Sequence, residues 1–296
     1  TYSTIFDFSK AFDYLNPEVL LVTLFEMGFS IESIHWFHSY LSGRTQSVVN
    51  NFNIPSKPVS TTSGVPQGSI LGPILFLLAI NGVTKRLSYC KHGLFADDKW
   101  AYLHFKLSRL NDAGAELTAD AQAIADWAKE YNLEINFKKT KVMILGSKRK
   151  LKLLDGYQLP EIVVDGNIIP YVNTTKHLGV HLSSDLSWDA HVSQLSRKAY
   201  ITLNNLKDKK NVLSESCRKL LVTATILPII DYCSIVFLDS SKRLDSKLQR
   251  IVNRAIRFIF NLKRDEHITP YIIRRRLNWL SVKSRRHYSL ACFIYK

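Results

Sequence analysis

At 296 residues, with 46% apolar and 22% charged side chains, the chain has the composition of a folded protein with room for two domains, which does not fit wholesale disorder. Its four dispersed cysteines (Cys90, Cys217, Cys233, Cys292) form no C-x-x-C pair, and its nine histidines nowhere adopt metal-ligand spacing, which argues against a disulfide frame or a zinc knuckle. The net charge of +15 is unevenly spread: residues 1–196 hold 18 Lys and Arg against 18 Asp and Glu, while residues 197–296 hold 22 against 7.

The chain opens with "YSTIFDF" (2–8), whose alternation predicts a strand. "NPEVLLVTLFEMG" (16–28) predicts a helix, with Asn16 as N-cap, Pro17 at the first helical position and Gly28 as terminator; "SIESIHWFHSYLSG" (30–43) predicts a second. Two short β-rich runs, "RTQSVVN" and "KPVSTT", precede a Gly/Pro-punctuated loop and apolar helix, "SGVPQGSILGPILFLLAINGV" (63–83). The apolar stretch at 70–80 is too short to span a bilayer, so no membrane partner is expected. "GLFADDKWAYL" (93–103) predicts a hairpin, although the two-residue turns of such hairpins prefer a glycine that is absent here.

Apolar residues at helical spacing (Leu107, Leu110, Leu117, Ile124, Trp127, Tyr131) predict a long amphipathic helix. "KVMILG" (141–146) returns to strand, and "EIVVDGNIIPY" (161–171) predicts a hairpin turning at Asp165-Gly166. From about residue 189 the pattern is helical, with breaks at Pro228 and near Pro270. The reading is an α+β half, 1–189, followed by a basic all-helical half, 190–296. So concentrated an excess of cations points the second half at a polyanion, nucleic acid being the usual one.

Asp7, Asp97 and Asp98 sit at the ends of apolar strands. An aspartate there is by default a turn or cap residue. If the two strands are neighbours, however, three carboxylates converge, and their mutual repulsion calls for divalent cations, with Mg²⁺ suited to hard oxygen ligands. Two such ions are a known device for in-line phosphoryl transfer.

In order and spacing, "FDFSKAFD" (6–13), "SGVPQGSILGPILF" (63–76), "FADD" (95–98), "NLEINFKKTKVMIL" (132–145) and "HLGVHLSSDLSW" (177–188) resemble motifs A to E of reverse transcriptases. The closest likeness is to non-LTR (LINE-type) retrotransposons of the jockey/CR1-like group. It extends to the C-terminal "RRRLNWLSVKSRRHYSLACFIYK" (274–296).

The resemblance implies a polymerase palm, an antiparallel sheet with packed helices, followed by an all-helical thumb and C-terminal extension. The fingers and the endonuclease domain of the full protein would lie upstream, and the fragment alone would be poorly active. The implied activity is RNA-directed DNA synthesis: deoxynucleotides are added to a primer 3′-hydroxyl by two-metal transfer with two Mg²⁺, or Mn²⁺ in their place. RNA template, DNA primer and deoxynucleoside triphosphates are the implied partners, and the expected location is intracellular, nuclear and cytoplasmic. Carried over by residue, Asp7, Asp97 and Asp98 become catalytic metal ligands, and Phe8, Phe12, Gln67, Gly68 and Lys139 nucleotide-binding residues. Phe12 would be the ring that excludes a ribose 2′-hydroxyl, and Lys139 the residue that protonates or balances the leaving pyrophosphate. His177, Leu178 and Gly179 would grip the primer. Arg274, Arg275, Arg276, Arg285 and Arg286 are the candidates for phosphate contacts, while Trp279, between apolar neighbours, reads as packing. Lys99 departs from the family's usual small residue and would either perturb the metal site or neutralise it. The alternative reading is an inactive or co-opted fragment that only binds RNA or DNA.

Overall fold

In the computed structural model, which describes residues 1–263, 265–268 and 276–295, the chain divides into two units, Thr1–Asn173 and Thr174–Lys296. The division comes earlier than the expected boundary after residue 189. The hairpin at 174–183 belongs with the helices that follow it, because the His181 amide donates to Nδ1 of His191 at 3.3 Å. Alternation along a strand locates the strand but not the partner it packs on, so the boundary was not readable from the pattern.

In the first unit, strand β1 (Tyr2–Phe6) leads through the short β2 (Phe8–Ser9) into the one-turn helix α1 (Ala11–Tyr14). Helix α2 (Pro17–Glu26) starts where predicted: Asn16 Oδ1 accepts the Glu18 amide at 2.9 Å, and Gly28, at φ +91°, closes the helix. Helix α3 (Ile31–Leu41) is capped by Ser30. The two β-rich runs pair as β3 (Arg44–Gln46) and β4 (Val59–Thr61), and the Gly/Pro loop delivers the apolar helix α4 (Leu71–Asn81). The hairpin follows as β5 (Lys91–Phe95) and β6 (Asp98–Leu103), then the long helix α5 (Leu110–Glu130), β7 (Glu134–Ile135), β8 (Lys141–Ile144) and the short α6 (Lys148–Lys152). Last come β9 (Val163–Val164) and β10 (Asn167–Ile168), turning at Asp165-Gly166 as expected, with φ of +48° and +72°.

The main sheet has the order β5-β6-β1-β8, antiparallel throughout. β1 is an interior strand, which is why Tyr2, Thr4 and Phe6 are all buried. Small residues on α5 (Ala113, Gly114, Ala121, Ala125, Ala128) let that helix approach closely, and Leu117, Ile124 and Trp127 fill the layer between. A Cβ at Gly114 would stand 2.4 Å from the Pro160 ring.

The second unit begins with β11 (Thr174–His177) and β12 (Val180–Ser183), paired antiparallel. Helices α7 (Asp189–Lys207), α8 (Glu215–Thr225), α9 (Leu227–Asp231), α10 (Lys242–Phe260) and α11 (Val282–Tyr295) follow, with Pro228 starting α9. The expected break near Pro270 lies outside the described residues. Helix α10 buries Leu244, Leu248, Ile251, Val252, Ala255, Ile256 and Ile259 along one stripe, against Val192, Ala199 and Leu203 of α7 and Val222 of α8. Trp279 joins this core. Among the described residues no helix is long and apolar enough to cross a membrane.

Candidate active site

The β1–β6 register pairs Phe6 with Lys99, so one step further along the two chains Asp7 stands beside Asp98. Residues opposite each other in an antiparallel pair share a face, and the next pair takes the other. Phe6 and Lys99 are both buried on the inner face, whereas Asp7 and Asp98 are half-exposed at the outer one. Asp97 occupies the two-residue turn between Phe95 and Asp98, next to Ala96 at φ +52°. That left-handed alanine, in a place glycine would prefer, stores strain of about 1 kcal/mol or more at the strand ends where the aspartates lie.

Around Asp7 the backbone is held on both sides. Its amide donates to Thr140 Oγ1 (3.4 Å) and its carbonyl accepts the Asn136 amide (2.7 Å). Asn136 and Thr140 bracket the turn that presents Lys139, whose Nζ lies 3.3 Å from Asp7 Oδ2, within ion-pair range but outside hydrogen-bond geometry. Oδ2 is itself buried and accepts no hydrogen bond. The expected convergence of three carboxylates is not seen: among the described residues, no three His, Cys, Asp or Glu side chains form a metal-holding group. Like charges repel, and Asp7 turns toward the Lys139 ammonium.

Lys99 neither perturbs nor neutralises this outer face, because the pleat carries it inward. Its ammonium makes no hydrogen bond, and burial pulls its pKa down to about 7, against the attraction of Asp120 and Cys90. The Asp120 carboxylate accepts the amides of Ser88, Tyr89 and Cys90 at 2.6–2.9 Å. Burial, with the Asp120 charge beside it, pushes the Cys90 thiol up to about 12.

The loop at 63–68 is stitched to the chain after β2. Gly64 N–H donates to the Leu15 carbonyl (2.8 Å) and Val65 N–H to that of Phe12 (2.9 Å). Gly64 has φ +75°, and a Cβ on it would lie 2.5 Å from the Asp13 carbonyl oxygen, so only glycine fits. Gln67 donates from Nε2 to Asp13 Oδ1 at 2.7 Å, and Gly68, at φ +82°, faces open space. Phe12 is half-buried and stacks on Phe76 at 4.1 Å. Phe8 is almost fully buried; its side chain belongs to the core, leaving only backbone for a nucleotide.

An open trough of about 900 Å³ lies along this seam, lined by Lys10, Asp13, Arg44, Gln46, Thr61 and Gln67 among others. Lys10, Asp13 and Arg44 escaped the sequence reading. Arg44 donates to the carbonyls of Leu41 (2.8 Å), Ser63 (3.0 Å) and Gly64 (2.6 Å), clamping the loop that carries Gln67. A single arginine in a short strand carries no signal of such a role. Lys10 could have been noticed, three residues after Asp7 in the run "FDFSK".

In the second unit, Leu178 and Gly179 form the two-residue turn of the β11–β12 hairpin, directly after His177. The predicted phosphate-binding arginines fare differently. Arg285 forks onto both carboxylate oxygens of Asp231. Arg286, with 2% of its side chain exposed, bonds Asp245 (2.7 Å) and Ser240 Oγ (2.5 Å) over the Phe237 ring. Arg276 pairs with Glu215 at 2.7 Å and lies 4.0 Å from the Phe260 centroid. These three are engaged inside the fold, which corrects the expectation; Arg274 and Arg275 lie outside the described residues. Lys247, Arg250 and Arg254, spaced along one side of α10, instead make their hydrogen bonds to neutral groups: Ser193 Oγ, the Ser246 carbonyl and Asn204 Oδ1.

Against this geometry, comparison with known proteins is direct. Residues 1–182 match the family model "Reverse transcriptase (RNA-dependent DNA polymerase)". The chain is similar to "Probable RNA-directed DNA polymerase from transposon BS" of Drosophila melanogaster, 26% identical over 85% of this chain and 29% of that protein. It is also 23% identical to the RNA-directed DNA polymerase from mobile element jockey of the same species, over 75% of this chain and 24% of that protein. Among solved structures, apo telomerase from Candida tropicalis aligns at a TM-score of 0.44 and 18% identity, over 63% of this chain and 34% of that one. The chain spans 18–29% of the length of its Drosophila melanogaster relatives. With the family model covering well over half of its residues, the chain belongs to the reverse transcriptase family.

Proposed function

We propose that the chain is the palm and thumb of a non-LTR retrotransposon RNA-directed DNA polymerase, extending a DNA primer on an RNA template, and that the fingers lie outside these 296 residues. The observation that carries the reading is the antiparallel register that sets Asp7 beside Asp98 at one end of the sheet, with Asp97 in the adjoining turn. The first unit corresponds to the palm and the second to the thumb.

The donor set fits divalent cations. Asp7 Oδ2 is buried and accepts no hydrogen bond, an amine lies 3.3 Å away, and the neighbouring donors are hard carboxylate oxygens. Asp7, Asp97 and Asp98 would hold two Mg²⁺, which supply the Lewis acidity for in-line phosphoryl transfer. The protein's own groups do the rest. Lys10 and Gln67 line the trough that receives the triphosphate and templating base, with Arg44 and Asp13 fixing the loop beneath them. Phe12, backed by Phe76, stands where a 2′-hydroxyl would collide. Lys139 reaches the same edge as Asp7, placed to bring charge or a proton to the departing pyrophosphate. On the second unit, Lys247, Arg250 and Arg254 are assigned to the duplex phosphates.

Primer extension tests the reading. With Mg²⁺ and deoxynucleotides the chain alone extends poorly, because positioning supplies much of the rate in phosphoryl transfer. Joined to the sequence that precedes it in its element, it extends, and Asp97→Ala lowers the rate by about 10³-fold or more. An active Asp97→Ala variant overturns the proposal; a wild-type protein that binds primer–template but never extends points to a binding-only fragment.

A further inference from the structure

The turn at Leu178-Gly179 has both residues in the left-handed region, at φ +45° and +79°. Glycine takes that shape freely, but leucine does not, and a bulky residue persists there only where its surroundings hold it. The support comes from Tyr232, 54 residues further along the chain. Its hydroxyl donates to the Leu178 carbonyl at 2.9 Å. Its ring lies directly against Gly179: a Cβ there would stand 2.8 Å from Cε1 and 3.1 Å from the hydroxyl oxygen.

Tyr232 is itself braced. It follows the last residue of α9, its amide donates to the Pro228 carbonyl at 3.0 Å, and its neighbour Asp231 is gripped by both arms of Arg285. The ring is 53% exposed, so it is not a core side chain that happens to touch a turn. An exposed tyrosine that spends its hydroxyl on a strained carbonyl shapes a surface.

We propose that Tyr232 is a positioning residue for the His177–Gly179 turn, holding it in the form that meets the terminal nucleotide of a primer. The proposal rests on the reading of that turn as a primer contact. Arg285, expected from sequence to touch phosphate, acts here at one remove by anchoring the helix end that carries Tyr232.

The test uses the 296-residue protein with a DNA primer annealed to an RNA template. A photoreactive thymidine analogue is placed either at the primer 3′ end or well inside the duplex. In the wild-type protein the 3′-terminal probe crosslinks to the peptide containing residues 174–183. Tyr232→Phe, which keeps the ring and deletes one hydrogen bond, lowers that crosslink by about fivefold. Tyr232→Ala lowers it by about tenfold or more, while the internal crosslink and the overall affinity by anisotropy change less than about twofold. If Tyr232→Ala does not fold, as judged by circular dichroism, Tyr232→Phe decides alone. An unchanged 3′-terminal crosslink in Tyr232→Phe overturns the role of Tyr232 and leaves the turn as a primer contact. An equal fall at both probe positions overturns it too, since that is what a merely structural tyrosine would do. A wild-type protein with no 3′-terminal crosslink to residues 174–183 overturns the primer reading and this proposal together.

Discussion

The two units treat a buried cation in opposite ways. The first holds 17 Lys and Arg against 16 Asp and Glu, yet leaves the Lys99 ammonium in its core without a hydrogen bond. The second holds 23 against 9, yet satisfies its buried Arg286 with Asp245 and Ser240 and pairs Arg285 and Arg276 as well. Net charge therefore says little about which cations are free for a ligand. In the basic unit the arginines of α11 belong to the architecture, and those of α10 face outward. The guanidinium suits the first task, since its planar fork satisfies a carboxylate and a hydroxyl at once. A lone ammonium in a strand has no such geometry, and it gives up its proton more readily instead.

The largest expected effect tests the paired cation. Arg286→Ala leaves Asp245 and Ser240 without their main donor in a nearly closed site, and urea unfolding of the second unit's transition should show a loss of about 3–5 kcal/mol. A loss below about 1 kcal/mol would mean that the pair is ornamental and that the contrast with Lys99 is empty.

The unpaired cation should behave in reverse. The Lys99 pKa is about 7 in the folded chain, against an ordinary value of 10.5. Between those values the unfolded chain binds more protons than the folded one, so stability rises with pH across the window, and the full cost is felt below about pH 7. Lys99→Met removes that cost and should stabilise the protein by about 2–4 kcal/mol at pH 6, with a smaller gain at pH 9. Urea titrations at the two pH values check both the sign and the slope; a destabilised variant at pH 6 would show that the ammonium is needed where it lies.

The smallest effect on folding belongs to the outward face. Replacing Lys247, Arg250 and Arg254 together by Glu should leave stability within about 0.5 kcal/mol for each surface site. The same change should reduce the slope of log affinity for duplex nucleic acid against log salt by about 2–3. An unchanged slope removes α10 from the nucleic-acid surface.

Much of this was legible from local pattern. Asn16, Pro17 and Gly28 mark the first long helix because a cap, a pre-set φ and a left-handed terminator act within a few residues. Asp165-Gly166 marks its hairpin in the same way. Asp7, Asp97 and Asp98 were recognisable as strand-end carboxylates, and the five ordered motifs made the family recognisable. The face of Lys99 was readable in principle, since a pleated strand sends it away from Asp98.

What the sequence alone determined is thus everything that a short stretch of chain decides for itself: the elements, their caps and turns, the strand ends that bear acids, and the excess of charge in the second half. Tertiary structure decided which partners those groups meet. Arg285 and Arg286 looked like phosphate ligands until Asp231 and Asp245 were folded against them from 54 and 41 residues away. Arg44 became a clamp only when the Ser63–Gly64 carbonyls were brought to it, and Tyr232 a support only when the hairpin turn settled on its ring. Helical spacing and alternation report which face an element buries, because those periods are set by the backbone. They do not report which distant side chain arrives there, because that choice is made by packing across the whole unit.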